Sequence, residues 1–472
     1  MIACGSSGSA TDGSPNDLDV IPPQIVSQSP LHRDAEVSVH QPIEVKFSER
    51  VRLSDSAPVR LFANTGETDV PVPATVRLSR DGTVVTIEPT APLSAPADYS
   101  VKFGDIRDEA GNALVSMGWT WKAPLWLRVG QPLEDAGDLS SLMIVAGPDE
   151  QVTVGSTVTV NVPDQRLLIH AIRRSNDRWT LLDNRLKIDS RIVPSLFWDK
   201  ELGLSALISD RENHIALEQW LDTKWQEHSL NHSTSDVVDA LIGNSKDGER
   251  FLAHHVFHMD AGTEIFVSHG SNWSRLGGPA NGEDIIQGRL ISLFLDRQGT
   301  PYVVYPTSSD PGRLRYWSQG SWILRAPPVT SPGDKALLLR ITIDDGGTPF
   351  ALVAISEGPS VYDQRFQIRR FDGNHWIDCG APLPMPGSSR LQYFGQALDG
   401  HTFAVLTTQS PGTEIPDKVL TFDVTQNGWT AIAPPVDTLR QYTRIFATID
   451  DRGAPILAWS EGSVVHLRRL NR

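Results

Sequence analysis

The chain has 472 residues, of which 39% are hydrophobic and 21% charged; at about three times a ~150-residue domain it is expected to hold more than one. No apolar run approaches the ~18 residues of a membrane helix, and a formal net charge of −15 argues against sequence-independent nucleic-acid binding, which needs a cationic surface to displace counterions. With only Cys4 and Cys379 as cysteines, at most one disulfide is available and stability has to come from packing.

Residues 1–22 read as a tether. Ser6-Ser7-Gly8-Ser9-Ala10-Thr11-Asp12-Gly13-Ser14-Pro15 offers almost nothing to bury and cannot offset the entropy of ordering it. Ahead of it, Met1-Ile2-Ala3-Cys4-Gly5 resembles the start of a mature bacterial lipoprotein, where an apolar residue, a variable one and Ala or Gly precede a Cys that becomes lipidated. The resemblance implies lipidation at Cys4, a membrane contact through that anchor, and an outer-membrane or other cell-envelope location. The charged and apolar regions of a secretory signal do not precede Cys4 here. Either translation starts upstream of Met1, or the chain is cytosolic and Cys4 is an exposed thiol.

From Pro23 to about residue 121 the sequence becomes short alternating runs bounded by turn residues, the signature of strands. Val76-Arg77-Leu78 and Val85-Thr86-Ile87 flank Arg80-Asp81-Gly82-Thr83, and Asp-Gly between two such runs predicts a hairpin. Several units of this kind in ~95 residues fit a β-sandwich. Three segments carry a family resemblance. Pro23-Gln24-Ile25-Val26-Ser27-Gln28-Ser29-Pro30 is similar to the first strand of the SbsA-type bacterial Ig-like domains, and Ile43-Glu44-Val45-Lys46-Phe47-Ser48-Glu49-Arg50-Val51 to their core strand. Tyr99, Val101, Phe103, Ile106, Asp108, Ala110, Gly111, Asn112 and Leu114 match their closing segment. The resemblance implies a secreted or surface-attached protein in which this module is a spacer or adhesion unit without catalysis. Asp108 and Glu109 are read as a turn-capping Asp and a solvated Glu in preference to a cation site.

Residues 122–472 repeat. Trp126, Trp179, Trp225, Trp273, Trp322, Trp376 and Trp429 recur at spacings of 46 to 54 residues, the period of propeller blades. Turn residues precede most of them, and a proline follows six residues on at Pro132, Pro279, Pro328, Pro382 and Pro435. A second turn recurs in register: Asp296-Arg297-Gln298-Gly299-Thr300-Pro301, Asp344-Asp345-Gly346-Gly347-Thr348-Pro349 and Asp450-Asp451-Arg452-Gly453-Ala454-Pro455, with Asp399-Gly400 a shortened version. After Trp429 the chain ends on a strand at Val464–Arg468 with no closing Trp, while the unit around Trp126 has no blade before it. The two fragments complete each other. The expectation is an all-β chain: an Ig-like β-sandwich, then a seven-bladed β-propeller closed by its N- and C-terminal strands, which removes exposed edges. The stretch Asn213–Leu221 could pass for a helix but in register is a third strand.

No nucleophile, metal or phosphate motif is present, and no cofactor or metal is expected. His254 and His258 would share one strand face and His255 the other, so three ligands do not converge. Asp372-Gly373-Asn374-His375-Trp376 departs from the Asp-box of sialidase-like propellers at Arg370 and His375, and Cys379 has no basic neighbour to activate it. Acids recur in the loops between second and third strands, among them Asp310, Glu357, Asp363, Glu414 and Asp417. They are read either as an acidic ligand rim that attracts a cation or basic ligand, or as the ordinary loop charge of an acidic protein. The functional expectation is a monomeric, non-catalytic surface lipoprotein whose propeller binds a protein or glycan. The alternatives are an envelope glycan hydrolase or lyase with its site on the propeller face, and a scaffold in outer-envelope assembly.

Overall fold

The computed structural model describes residues 19–472 other than 55–58, 65, 67, 117, 135–137, 148–150, 162–163, 173–177, 189–194, 200–202, 210–214, 222–223, 229–236, 245–249, 259–261, 270–272, 287–291, 297, 308–309, 311, 330–335, 345–346, 357–363, 385–387, 397–401, 410–415, 426–427, 437–444 and 451. Cys4, Glu357, Asp363 and Glu414 therefore lie outside the described residues. The described residues form strands and turns without a helix. They divide into two compact units, one running to Leu127 and including Asn471–Arg472, the other Arg128–Leu470.

The first unit is a sandwich. One sheet orders Ile25–Ser29, Ile43–Phe47, Val84–Pro89 and Ala74–Leu78; the other orders Gly118–Ala123, Ala97–Phe103, Val59–Asn64 and Asp69–Val72. Alternation decides which side faces in: Ile43, Val45 and Phe47 are buried while Glu44 and Lys46 are exposed, as period-two patterning requires. The core holds Val85, Tyr99 and Trp121, with Tyr99 stacked on Trp121 at 5.7 Å. The expected hairpin is present, Leu78 pairing with Val85 around a turn in which Ser79 donates to Asp81. Asn471 belongs here because it serves three backbone groups. Its Oδ1 accepts from Val39 N at 2.9 Å, and its Nδ2 donates to the carbonyl oxygens of Val37 at 3.0 Å and Pro124 at 2.9 Å.

The second unit holds seven four-stranded antiparallel sheets among the described residues. In chain order they are sheet one (138–188), two (195–228), three (237–275), four (292–324), five (336–384), six (388–432) and seven. Sheet seven joins Ile445–Ile449, Pro455–Glu461 and Val464–Leu470 to Trp126–Arg128. Beyond that strand, Val129 N donates to Leu467 O at 3.1 Å, and Leu133 and Val465 exchange backbone bonds at 2.8 and 2.9 Å. In the stretch 213–221 the described part, Ile215–Leu221, is a strand as expected, with Trp220 opposite Trp225.

Two local devices explain the repeating letters. In the Asp-x-x-Gly-x-Pro turn the carboxylate caps the backbone. Asp296 Oδ1 accepts from Gln298 N at 2.9 Å and Thr300 N at 2.8 Å, and Asp450 Oδ1 accepts from Arg452 N at 3.0 Å and Ala454 N at 2.7 Å. The glycine supplies the positive φ that closes the turn, +80° at Gly299 and +87° at Gly453, where a side chain would be strained. The repeating tryptophans tie sheets together. Trp179, Trp322 and Trp376 donate Nε1 to the carbonyl oxygens of Gln131, Leu276 and Pro327 at 2.7, 3.1 and 2.9 Å, each acceptor lying in the preceding outer unit.

Candidate functional site

Sheet four gathers a polar cluster at one end. Tyr305 closes the strand Pro301–Tyr305, and Arg313 opens the strand Arg313–Ser318 directly opposite it. Arg315, two residues on, projects to the same side. Asp284 arrives from the connection that leads into sheet four. Asn281 fixes that connection, accepting from Ile265 N at 2.8 Å and donating Nδ2 to Asp284 O at 2.8 Å. An isolated bridge between Ile286 and Thr307 holds it beside the turn between the second and third strands.

Asp284 is the centre of the cluster. Its Oδ2 accepts from Tyr305 Oη at 2.7 Å, Arg315 Nη2 at 3.0 Å and Arg313 Nε at 3.2 Å, while Oδ1 accepts from Arg313 Nη2 at 3.3 Å. Burial works to raise its pKa, but the hydrogen bonds from Tyr305 and Arg313 and the charges of Arg313 and Arg315 outweigh it and hold the carboxyl below its ordinary value. The side chains of Arg313, Arg315 and Asp284 stay 18–24% exposed, and Ile285, which follows Asp284 in the chain, is 74% exposed.

Tyr305 is fully buried. Burial and its bond to Asp284 push its pKa well up, so at neutral pH it is a committed donor and not a base. The arrangement can therefore present fixed, partly exposed guanidinium donors; it holds no activated nucleophile. Sequence reading did not join these residues, because Asp284 and Arg315 are separated by 31 residues and meet only through strand register.

Of the acids assigned to a rim, Asp310 is turned inward. It is 1% exposed, its Oδ1 accepts from Gly312 N at 2.9 Å, and its Oδ2 lies 3.8 Å from Arg313 Nη1 without a hydrogen-bond donor. Burial raises its pKa above the ordinary value, only partly opposed by the Gly312 N–H and Arg313. Asp417 lies on the strand Pro416–Thr425. Of the five rim acids only Asp310 has a described side chain, and it lies against Arg313.

The remaining candidates are interior or structural. His254 and His255 are both buried; His254 packs against Phe266 at 5.7 Å, and burial pushes the His255 pKa down. Cys379 is a buried thiol whose pKa burial raises. Asp372 caps its own turn, accepting from Asn374 N and His375 N at 2.8 Å. In the first unit Asp108 is a buried turn cap, accepting from Asn112 N at 2.8 Å and Asn112 Nδ2 at 2.7 Å, while Glu109 is exposed and pairs with Arg50 at 3.5 Å. Asp19, Glu49 and Asp108 bring carboxylate oxygens within 4.8 Å of one another, a donor set of the kind hard divalent cations accept. Sequence reading had not joined Asp19 and Glu49 to Asp108.

Comparison with known proteins places part of the chain. Residues 19–122 match a family model described as a bacterial Ig-like domain, so the chain carries an N-terminal Ig-like domain. No curated protein matches the sequence. Among solved structures the chain is similar to a polysaccharide lyase named as an ulvan lyase, at 11% identity and a TM-score of 0.46, over 73% of this chain and 94% of that one. It is similar to the β-propeller domain of the Trilobed protease from Pyrococcus furiosus, at 9% identity and a TM-score of 0.45, over 70% and 94%. A mutant Aleuria aurantia lectin in complex with a fucosylated GlcNAc gives 15% identity and a TM-score of 0.36, over 64% and 97%. These values are too low to transfer any residue or activity.

Proposed function

We propose that the protein is a non-catalytic, monomeric binding protein of the bacterial cell surface. In this reading residues 1–22 are a tether lipidated at Cys4, the Ig-like domain is a spacer of the SbsA type, and residues 122–472 are a closed seven-bladed propeller that binds a protein or glycan. Ring closure is supported by neighbouring first strands, sheet one beside two, three beside four, four through seven in succession, and seven beside one. Cores shared between sheets one and two, two and three, three and four, four and five, five and six, and seven and one support it further.

The observation that carries the binding reading is the Asp284 cluster. Two guanidiniums are held in place before any ligand arrives, which lowers the ordering cost of binding, and they remain partly exposed. The same Arg-Tyr-acid grouping also favours a lyase as second reading, but the commitment of Tyr305 to Asp284 supports binding over proton abstraction. A glycan array and a pull-down from outer membranes, run with the full chain and with Arg313→Ala and Arg315→Ala, test this. Loss of the captured ligand in both variants supports the site. Unchanged capture, or turnover of a glycan by the wild type, contradicts the reading. Mass spectrometry of the N-terminus from native membranes tests the anchor, and an unmodified Cys4 ends it.

A further inference from the structure

The position three residues after each repeating tryptophan is apolar in most units. Val129, Leu182, Leu276 and Cys379 occupy it in four of the seven and pack into the cores between sheets, and Ile432 and His228 are the counterparts in sheets six and two. In sheet four the residue is Arg325. The backbone register is kept: Arg325 N donates to Leu314 O at 2.9 Å, as Val129 N does to Leu467 O and Leu276 N to Val267 O. An arginine where the repeat packs an apolar side chain breaks a local rule, and such breaks are expected where a protein gives up packing for function.

The guanidinium lies over two rings at the seam between sheets four and five, 5.6 Å from the centroid of Tyr316 and 5.9 Å from that of Phe371. Tyr316 is stacked on Tyr302 at 5.7 Å, and Phe371 packs on Trp376 at 5.5 Å. The Trp376 Nε1 bond to Pro327 O closes the seam two residues beyond Arg325. Ring faces attract the charge of a cation but leave its N–H groups without oxygen acceptors. Arg325 Nε is buried and unbonded, and the guanidinium makes no hydrogen bond or ion pair among the described residues. Two acids of these sheets are committed elsewhere: Asp296 accepts from Gln298 N, Thr300 N and Tyr302 Oη, and Asp378 from Arg369 Nε. The seam is reached from outside. Arg325 is only half-buried, and the outer strands of sheets four and five are set further apart than those of five and six. Ile323, on the face of sheet four that carries Tyr316, is 40% exposed.

We propose that Arg325 anchors a binding site for a carboxylate group in the seam between sheets four and five, with Tyr316, Phe371 and Trp376 as its walls. The site lies on the opposite face of sheet four from Arg313 and Arg315, which alternate with Leu314 and Tyr316 along one strand. It is therefore separate from the Asp284 cluster, and it needs no ring closure. A guanidinium matches a carboxylate with two parallel N–H donors, and the pairing gains strength where rings replace water around it. One guanidinium balances one negative charge, which suits a carboxylate better than a doubly charged phosphate. The carboxylate belongs either to a small organic acid or to a uronate residue of a glycan.

Isothermal titration of the full chain with benzoate, benzamide, glucuronate and glucose tests the site. Saturable binding of a carboxylate over its neutral counterpart is expected, weakened at least ~10-fold in Arg325→Leu and partly restored in Arg325→Lys. Arg325→Leu installs the kind of side chain that the repeat places there elsewhere, so the fold should tolerate it. Ile323→Glu leaves Arg325 in place and sets a competing carboxylate two residues away at an exposed position; it should give a comparable loss, and it reads the site if Arg325→Leu fails to fold. Preference for benzoate assigns a small acid and preference for glucuronate a uronate; both support the site. Absence of carboxylate binding, equal binding of the neutral counterparts, or unchanged affinity in the folded Arg325→Leu and Ile323→Glu variants overturns it. Arg313→Ala and Arg315→Ala should leave this binding intact. Its loss in those variants would move the carboxylate to the Asp284 cluster, overturning the seam site while leaving the proposed binding function standing.

Discussion

The indole Nε1 of Trp376 donates to the carbonyl oxygen of Pro327 at 2.9 Å, joining one outer strand unit to the unit before it. This bond gives the spacing of the tryptophans a cause: the acceptor and the donor must each recur once per sheet. Trp429, by contrast, buries its Nε1 with no acceptor among the described residues. Trp376→Phe and Trp429→Phe remove similar ring volume, so they should differ by the bond. We expect Trp376→Phe to cost about 1 kcal/mol more in urea unfolding. Equal losses would show that the spacing is set by ring packing alone.

The Asp-x-x-Gly-x-Pro turn makes a second demand. Asp450 is 4% exposed, caps two backbone N–H groups through Oδ1, and lies 3.3 Å from Arg469 Nη1 through Oδ2. Asp450→Ala leaves two buried donors and a guanidinium without their acceptor, for which a loss of about 3 kcal/mol is expected. Asp450→Asn keeps an oxygen for the turn and should lose roughly half as much. A thermal-melt comparison of the two variants checks this, and an Asn variant as damaged as the Ala variant would place the whole effect on Arg469.

The two acids of sheet four should respond to pH in opposite directions. Asp284 has a pKa held below its ordinary value, so its contribution to stability is complete above about pH 4 and is lost as pH falls through the lower folded-state pKa. Asp284→Asn should cost roughly 2 kcal/mol at pH 7 and should flatten the acid limb of stability against pH. Asp310 has a raised pKa, so ionising it opposes folding; its contribution is intact below about pH 4 and declines as pH rises through its folded-state pKa. Asp310→Asn retains an Oδ1 to accept from Gly312 N and should be neutral or stabilising at pH 7. Denaturant melts from pH 3 to pH 8 distinguish the two, and a destabilising Asp310→Asn would mean that its 3.8 Å approach to Arg313 outweighs burial.

These cases mark how far the sequence reaches. The tryptophan spacing and the Asp-Gly-Pro turns were legible because each device is local or repeats at a fixed interval. So was the completion of sheet seven by Trp126–Arg128, since the two end fragments each lacked what the other supplied. The Asp284 cluster was not legible: Asp284 lies in an irregular connection, and only the register that sets Tyr305 opposite Arg313 makes the acid their common partner. Asp310 was assigned to a rim by its place in a loop, whereas the loop folds its carboxylate inward over Gly312.

Asn471 extends the same point to the first unit. Its side chain serves Val37, Val39 and Pro124, positions separated from it by 434, 432 and 347 residues. Each group is buried or partly so, and a buried donor left without an acceptor costs about 1–3 kcal/mol. Asn471→Ala strips the acceptor from Val39 N and the donor from two carbonyls, so a loss of about 2–3 kcal/mol is expected in the transition reported by Trp119 and Trp121, both buried in that core. Asn471→Asp keeps the acceptor for Val39 N but turns the donor into a second acceptor facing two carbonyl oxygens, and should be at least as damaging. Chemical unfolding followed by tryptophan fluorescence, with the remaining tryptophans replaced in a reference background, measures it. Should both variants unfold with the reference, the Ig-like sandwich would be stable without Asn471 and the three bonds would be incidental to it.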